Sequence, residues 1–405
     1  MSLQRVAKLL CAGLLVTTAL AQAQTYTILH NFTGTDGANP TSTLVLDRAG
    51  NFYGTTQNGG SYNKGVLFQL KAAGSGWVLR PLHEFGQVVS DGYEPLNYGG
   101  LAFGPDGTLY GTTNSGGLLE CGEGQSYCGV VFRLQPPPTA CTSALCPWNY
   151  TVVHQFTSYP SDVSIPESGV VFDGAGNMYG TTYGGGIYQI SPSGGGWTES
   201  VIGELGNETF PAMVADSAGN LYGIWTEGFN TYGGVFELSP SASGWTETVL
   251  YRFTGSSDGS TPMGGLVRDN AGNLYGSTSD GGSGGGGTIF ELSPSAGGWA
   301  FHLLWNFPGS GFSGPQSALS FDTQGNLYGT TFHGGRHGGG SVFQCTHIGS
   351  NWVCDDLYDF EQGSNGSFPV GGVTLDSQGN LYGTTNVGGS GCGLYGCGVI
   401  WKITP

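Results

Sequence analysis

One phrase returns seven times along the 405-residue chain: NFYGTT from residue 51, TLYGTT from 108, NMYGTT from 177, NLYGIW from 220, NLYGST from 273, and NLYGTT from 326 and again from 380. Self-similarity over tens of residues confines a chain to architectures assembled from one repeated supersecondary unit. Tyr53, Tyr110, Tyr179, Tyr222, Tyr275, Tyr328 and Tyr382 set the period, which settles at about 53 residues in the last repeats. The interval after Tyr110 is long because it carries an insertion with four cysteines. The interval after Tyr179 is short because the loop before GIYQI is trimmed.

Each repeat reads as four strands. A short apolar run ends in Asp (LVLD, VVFD, LSFD, VTLD), and a turn closing on Gly-Asn leads into the LYGTT strand. A Gly-rich loop and a third strand follow (GVLFQL, GVVFRL, GVFELS). A polar turn then opens the fourth strand, whose start is marked by Trp77, Trp148, Trp197, Trp245, Trp299 and Trp352. The apolar stretches are short, β-branched and aromatic, and bounded by Gly, Asn, Asp and Ser, so they are strands. No helical period is sustained. Asp47, Asp173, Asp216, Asp269, Asp322 and Asp376 recur as turn residues rather than as a calcium site, and Gly104 takes their place in the second repeat.

Four strands at this period make a propeller blade, and the first strand is expected to be the inner one, sandwiched between blades. The chain after residue 23 opens with YTILHNF, a fourth strand, and closes with GVIWKITP, a third strand lacking its fourth. Pairing these two completes the last blade and removes an exposed edge. The expected fold is therefore all-β: a seven-bladed β-propeller of four-stranded blades, the last blade closed by the N-terminal strand.

Residues 1–23 read as a secretory signal: Arg5 and Lys8, an apolar run from Leu9 to Leu20, then Ala21-Gln22-Ala23. The run is short for a membrane span, which needs roughly 20 residues. Residues 24–405 form the propeller domain, expected to be secreted or periplasmic and monomeric, with no membrane insertion. The eight remaining cysteines pair most simply as Cys121–Cys128, Cys141–Cys146, Cys345–Cys354 and Cys392–Cys397, disulfides suited to an exported protein. No pair has CxxC spacing and no histidine pattern accompanies them, which disfavours zinc. Acidic residues outnumber basic ones 28 to 11, and the net charge of −17 argues against nucleic acid and anionic membrane surfaces as partners.

The repeated phrase GNLYGTT…GG…GVFEL resembles the exported bacterial proteins known as choice-of-anchor tandem repeat GloVer-containing proteins, and the resemblance covers essentially the whole chain after the signal. It implies the address and the repeat fold, and no particular activity. Members commonly end in an anchoring segment. The end at Pro405, directly after the last strand, is expected to mean release rather than anchoring.

Internal comparison of repeats separates structural positions from candidate functional ones. His30, His83 and His154 share one register with Tyr251, Trp305 and Tyr358, which marks an aromatic packing slot. Pro40, Pro95, Pro166, Pro211, Pro262, Pro315 and Pro369 recur between blades and shape the chain there. Departures gather in blades three, four and six: Tyr183; Trp225, Glu227, Phe229 and Tyr232; and Phe332, His333, Arg336 and His337. The loops after the second and fourth strands share one face, and binding residues concentrate on such loops. The expected function is a binding module for a glycan or an exported protein. The alternatives are a carbohydrate-active enzyme, lyase or glycosidase, with carboxylates around the channel mouth such as Glu227, Asp258 and Asp36, which nothing in the sequence picks over Asp91 or Asp280, and a structural envelope or matrix protein. No cofactor or metal is expected; His333 and His337 are the pair that could bind a metal, but their Gly-rich loop fixes neither ring. No nucleophile elbow, phosphate loop or HExxH motif is present.

Overall fold

The computed structural model describes residues 24–95, 100–117, 128–137, 148–157, 164–205, 213–226, 232–309, 314–349 and 351–404. Within them the chain forms seven antiparallel sheets of four successive strands, one per repeat. Blade one runs Val45–Leu46, Phe52–Asn58, Val66–Ala73 and Gly76–Glu84, and a short additional strand, Ala38–Pro40, pairs with its second strand. Blade seven runs Thr374–Leu375, Leu381–Thr385 and Val399–Thr404, and its outer strand is Thr25–Asn31 from the other end of the chain. The predicted closure is therefore present. The ring is also sealed between blades seven and one: Thr374 Oγ1 donates to the Leu44 carbonyl at 2.5 Å, the Gly372 N–H donates to Thr43 Oγ1 at 2.8 Å, and the rings of Phe52 and Tyr382 lie 4.3 Å apart. No helix among the described residues is long and apolar enough to cross a membrane.

Burial follows the blade boundaries. The LYGTT strands are buried throughout, because neighbouring blades cover both their faces. The middle glycine of each is forced by packing. Gly54 pairs across the sheet with Phe68, whose ring would stand 2.7 Å from any Cβ placed there, and Gly111 meets Phe132 in the same way. The expectation of a fully sandwiched inner strand needs correction. That strand is only two residues long and half-buried, and the core contribution comes from the residue before it, such as Leu44, Leu101, Leu319 or Val373. The inner strand is the innermost of each blade, bordering the ring's axis.

The recurrent aspartates are turn residues. Asp376 Oδ1 accepts the N–H groups of Gln378 and Asn380, while Oδ2 accepts the Asn380 amide and the Tyr382 hydroxyl. The same four bonds recur at Asp47, Asp173, Asp216, Asp269 and Asp322. In blade two, Asp106 compensates for Gly104 by accepting the Thr108 N–H and hydroxyl.

Candidate loop face

Antiparallel order places the loops after the second strands and the connections between blades on one face, and the aspartate turns on the other. Five interblade connections cross the loop face with the same backbone device, and Gly314 before Pro315 departs from it. The residue before the proline takes a left-handed conformation: Asn39, Glu94, Ile165, Thr261 and Phe368 have φ of 57°, 57°, 61°, 53° and 56°. Such conformations are uncommon outside glycine and store strain, which is often found at functional sites. The proline that follows then caps the neighbouring blade; Pro95 Cδ leaves 2.8 Å for a Cβ at Gly65, and Pro369 Cδ leaves 2.7 Å at Gly340. The backbone is thus held alike in blade after blade while its side chains differ, which is the arrangement of a recognition surface on a rigid scaffold.

Two features stand out on this face. Phe332 and His333, after the second strand of blade six (Leu327–Thr331), form a three-ring cluster with Phe368, the left-handed residue leading into blade seven. The centroid separations are 4.6, 5.4 and 5.1 Å. The Asn386 N–H donates to the Phe368 carbonyl at 3.0 Å, linking this cluster to the loop of blade seven. That loop is closed by the Cys392–Cys397 disulfide and carries Leu394 and Tyr395 at its tip, 98% and 82% exposed. Backbone bonds brace it: Gly388 N–H to the Tyr395 carbonyl at 2.7 Å, and Gly398 N–H to the Gly388 carbonyl at 2.9 Å. Leu394 and Tyr395 were not among the sequence candidates. The available signal was an apolar pair flanked by Gly393 and Gly396 inside a short Cys–Cys interval.

The other candidates are scattered. Tyr183 and Tyr232 are each 52% exposed, and Tyr232 lies over Gly255. Arg336 and His337 are exposed; the Arg336 N–H donates to Asp359 Oδ1, and the His337 carbonyl accepts the Gln362 amide. Among the described residues no three His, Cys, Asp or Glu groups are gathered in a way that could hold a metal. Glu227 and Phe229 lie outside the described residues.

Trp225 requires correction, because it is 3% exposed and belongs to the core between blades three and four. It replaces a threonine that is itself buried in the other repeats, as at Thr56 and Thr385. Its cross-strand partner is Gly234, where those repeats have Val66 and Val399. A Thr–Val pair has become a Trp–Gly pair, an exchange of volume inside the sheet, so this ring is not presented for stacking on a sugar.

The aromatic slot of the outer strands also does more than pack. His30 Nε2 lies 2.9 Å from Asp36 Oδ2, the Tyr251 hydroxyl donates to Asp258 Oδ2 at 3.0 Å, and His83 Nε2 stands 3.4 Å from Asp91 Oδ2. Asp36 and Asp258 also accept the N–H and hydroxyl of Thr33 and Thr254. Burial raises the pKa of both carboxyls, but these donors outweigh it and hold them below the ordinary value. Two of the carboxylates considered for catalysis are therefore committed to holding interblade turns.

Disulfides join Cys345 to Cys354, which are paired across the third and outer strands of blade six, and Cys392 to Cys397. Cys128 is also disulfide-bonded; Cys121, Cys141 and Cys146 lie outside the described residues. Such bonds are consistent with an extracellular, oxidising location.

The sequence profile of the Gloeobacter/Verrucomicrobia repeat matches residues 12–198, 121–319 and 209–405, overlapping windows that span nearly the whole chain. No curated protein sequence matches. Among solved structures, a Bacteroides uniformis protein for which 6-phosphogluconolactonase activity is inferred aligns over 78% of this chain and 83% of its own, at 15% identity and a TM-score of 0.50. PorZ, a surface component of the type-IX secretion system of Porphyromonas gingivalis, aligns over 88% of this chain and 46% of its own, at 12% identity and a TM-score of 0.49. A gluconolactonase from Xanthomonas campestris aligns over 92% and 88%, at 12% identity and a TM-score of 0.42. At 15% identity the likeness to the Bacteroides uniformis protein concerns the fold alone.

Proposed function

We propose that this chain, which belongs to the Gloeobacter/Verrucomicrobia repeat family, is an exported binding module that captures a protein partner on its loop face. The observation that carries this reading is the tip of blade seven, where Leu394 and Tyr395 are 98% and 82% exposed on a disulfide-closed loop. An exposed leucine offers nothing to a sugar hydroxyl but supplies apolar area to a protein pocket, and tyrosine is enriched among residues that dominate interface energies. Closing the loop in advance reduces the ordering cost of binding. The Phe332–His333–Phe368 cluster is tied to the same blade through the Asn386–Phe368 backbone bond. With a net charge of −17, the module selects against strongly acidic partners.

A glycan on the loop face is the second reading, favoured by the three-ring cluster, and the two readings separate by mutation. Capture of partners from the exported fraction of the source organism should fail for Leu394→Ser/Tyr395→Ser and persist for Phe332→Ala. Loss confined to Phe332→Ala, together with retention on immobilised polysaccharide, would favour the glycan instead. Equal capture by wild type and both variants would remove the loop face from the function.

A further inference from the structure

Five tryptophans that open outer strands keep one contact. Trp77, Trp148, Trp197, Trp245 and Trp299 each set their ring against the repeat tyrosine of the preceding blade, Tyr382, Tyr53, Tyr110, Tyr179 and Tyr222, with centroids 5.7 to 6.3 Å apart. Trp352 breaks the series. Its ring pairs with His347 on its own hairpin at 5.3 Å, while Tyr275, the tyrosine in its path, has Phe321 as its ring neighbour at 5.0 Å. The hairpin differs too: Pro192, Pro240 and Pro294 lie directly across from Trp197, Trp245 and Trp299, and Ala72 from Trp77, but an aromatic His347 lies across from Trp352.

The boundary between blades five and six, where Trp352 and Phe321 pack against the cluster that holds Tyr275 and Leu319, carries a surface cleft beside these residues. Two adjoining hollows of about 640 and 580 Å³ share Glu291, His347 and Trp352 as walls. One continues inward past Tyr275 to Arg268, and the other follows the outer strand of blade five to His302. Their volumes are those of small-molecule sites. The lining is not that of a packing fault. Glu291 accepts the Ser293 hydroxyl on one oxygen at 2.7 Å and has no donor on the other among the described residues. Arg268 is exposed and makes no ion pair among them.

We infer that this cleft, on the face opposite the loops, is a second binding site, for a short neutral oligosaccharide. Trp352 and His347 supply ring surface for the apolar face of a sugar. The free Glu291 oxygen and the Arg268 guanidinium supply an acceptor and a forked donor for neighbouring hydroxyls. Acidic sugars are disfavoured by Glu291 and by Asp269 and Asp322, which also line the cleft. The mixed polar wall suits neither a lipid nor an apolar peptide.

The test is calorimetric titration of the full chain with cellotriose, maltotriose and chitotriose. At least one should bind, and Arg268→Ala and Glu291→Gln should each weaken it tenfold or more; neither touches the core, so both should melt as the wild type does. Leu394→Ser should leave sugar binding unchanged, which keeps this site separate from the proposed partner surface. Binding by none of the three, or binding indifferent to both cleft variants, would overturn the inference. Loss through Leu394→Ser instead would place the sugar on the loop face and overturn it equally.

Discussion

Tyr26 lies flat on Tyr358: the ring centroids are 3.9 Å apart, the planes differ by 5°, and the Tyr26 hydroxyl donates to the Asn365 carbonyl at 2.7 Å. The first strand of the domain is thereby fixed to blade six as well as to its own partner in blade seven. The same outer-strand stacking crosses other boundaries, at 3.8 Å between His83 and Tyr150 and 4.3 Å between Tyr251 and Phe301. At Tyr26 it joins segments more than three hundred residues apart and adds to the closure made by strand pairing of Thr25–Asn31 with Val399–Thr404.

Tyr26→Ala should cost about 2–3 kcal/mol, from lost ring burial and a lost hydrogen bond, while Tyr26→Phe should cost about 1 kcal/mol. Deleting residues 24–31 exposes the edge of Val399–Thr404, and an unpaired edge recruits other chains. Denaturant melts and light scattering check both: the point variants should remain monodisperse and the deletion should self-associate.

Acid should dissolve the turn network. Burial raises the pKa of Asp376, but the donors from Asn380, Gln378 and Tyr382 outweigh it and leave it lowered, and Asp47, Asp173, Asp216 and Asp322 behave alike. A carboxyl whose pKa is lower folded than unfolded contributes fully above its unfolded pKa, near 4, and loses that contribution as pH falls through the folded value. Asp376→Asn should therefore cost about 1 kcal/mol at pH 7, with wild type and variant converging toward pH 3. A gap that stays constant with pH would contradict this account of the turn.

Tyr188 sits where other blades carry Phe68, Phe132, Phe236, Phe290 and Phe343, fully buried and with no hydrogen-bond partner for its hydroxyl. Burial, with the Glu199 carboxylate nearby, drives its pKa upward, so it stays protonated and unsatisfied. Tyr188→Phe should raise stability by about 1 kcal/mol, read as an increased denaturant midpoint.

Replacing Cys392 and Cys397 by serine should cost about 2 kcal/mol or less, since the loop they close is short. Partner binding should fall by a larger factor than stability alone accounts for, because the tip must then be ordered on binding. Hydrogen exchange should quicken at 388–397 and remain unchanged in the second strands.

The fold was legible because its determinants are local and repeated. Asp376, Asn380 and Tyr382 fall within seven residues, and six copies state the rule. Closure was legible from two strand fragments, each lacking its complement. The candidate sites were less so. Trp225 looked like a departure because repeats were compared one position at a time, whereas its compensation lies across the sheet at Gly234. The His30–Asp36 and Tyr251–Asp258 pairs were obscured because the connecting turns differ in length. The cleft at Trp352 takes Arg268 and Glu291 from one blade and His347 and Trp352 from the next, and no spacing in one dimension records that.

The central claim is that the loop face meets the partner, and photo-crosslinking tests it most directly. A benzophenone amino acid would replace Tyr395 in one protein and exposed Ser243, on the opposite face, in another. With the exported fraction of the source organism, the account predicts a discrete adduct from position 395 and none from 243. Adducts from 243 alone, or indistinguishable adducts from both positions, would contradict it.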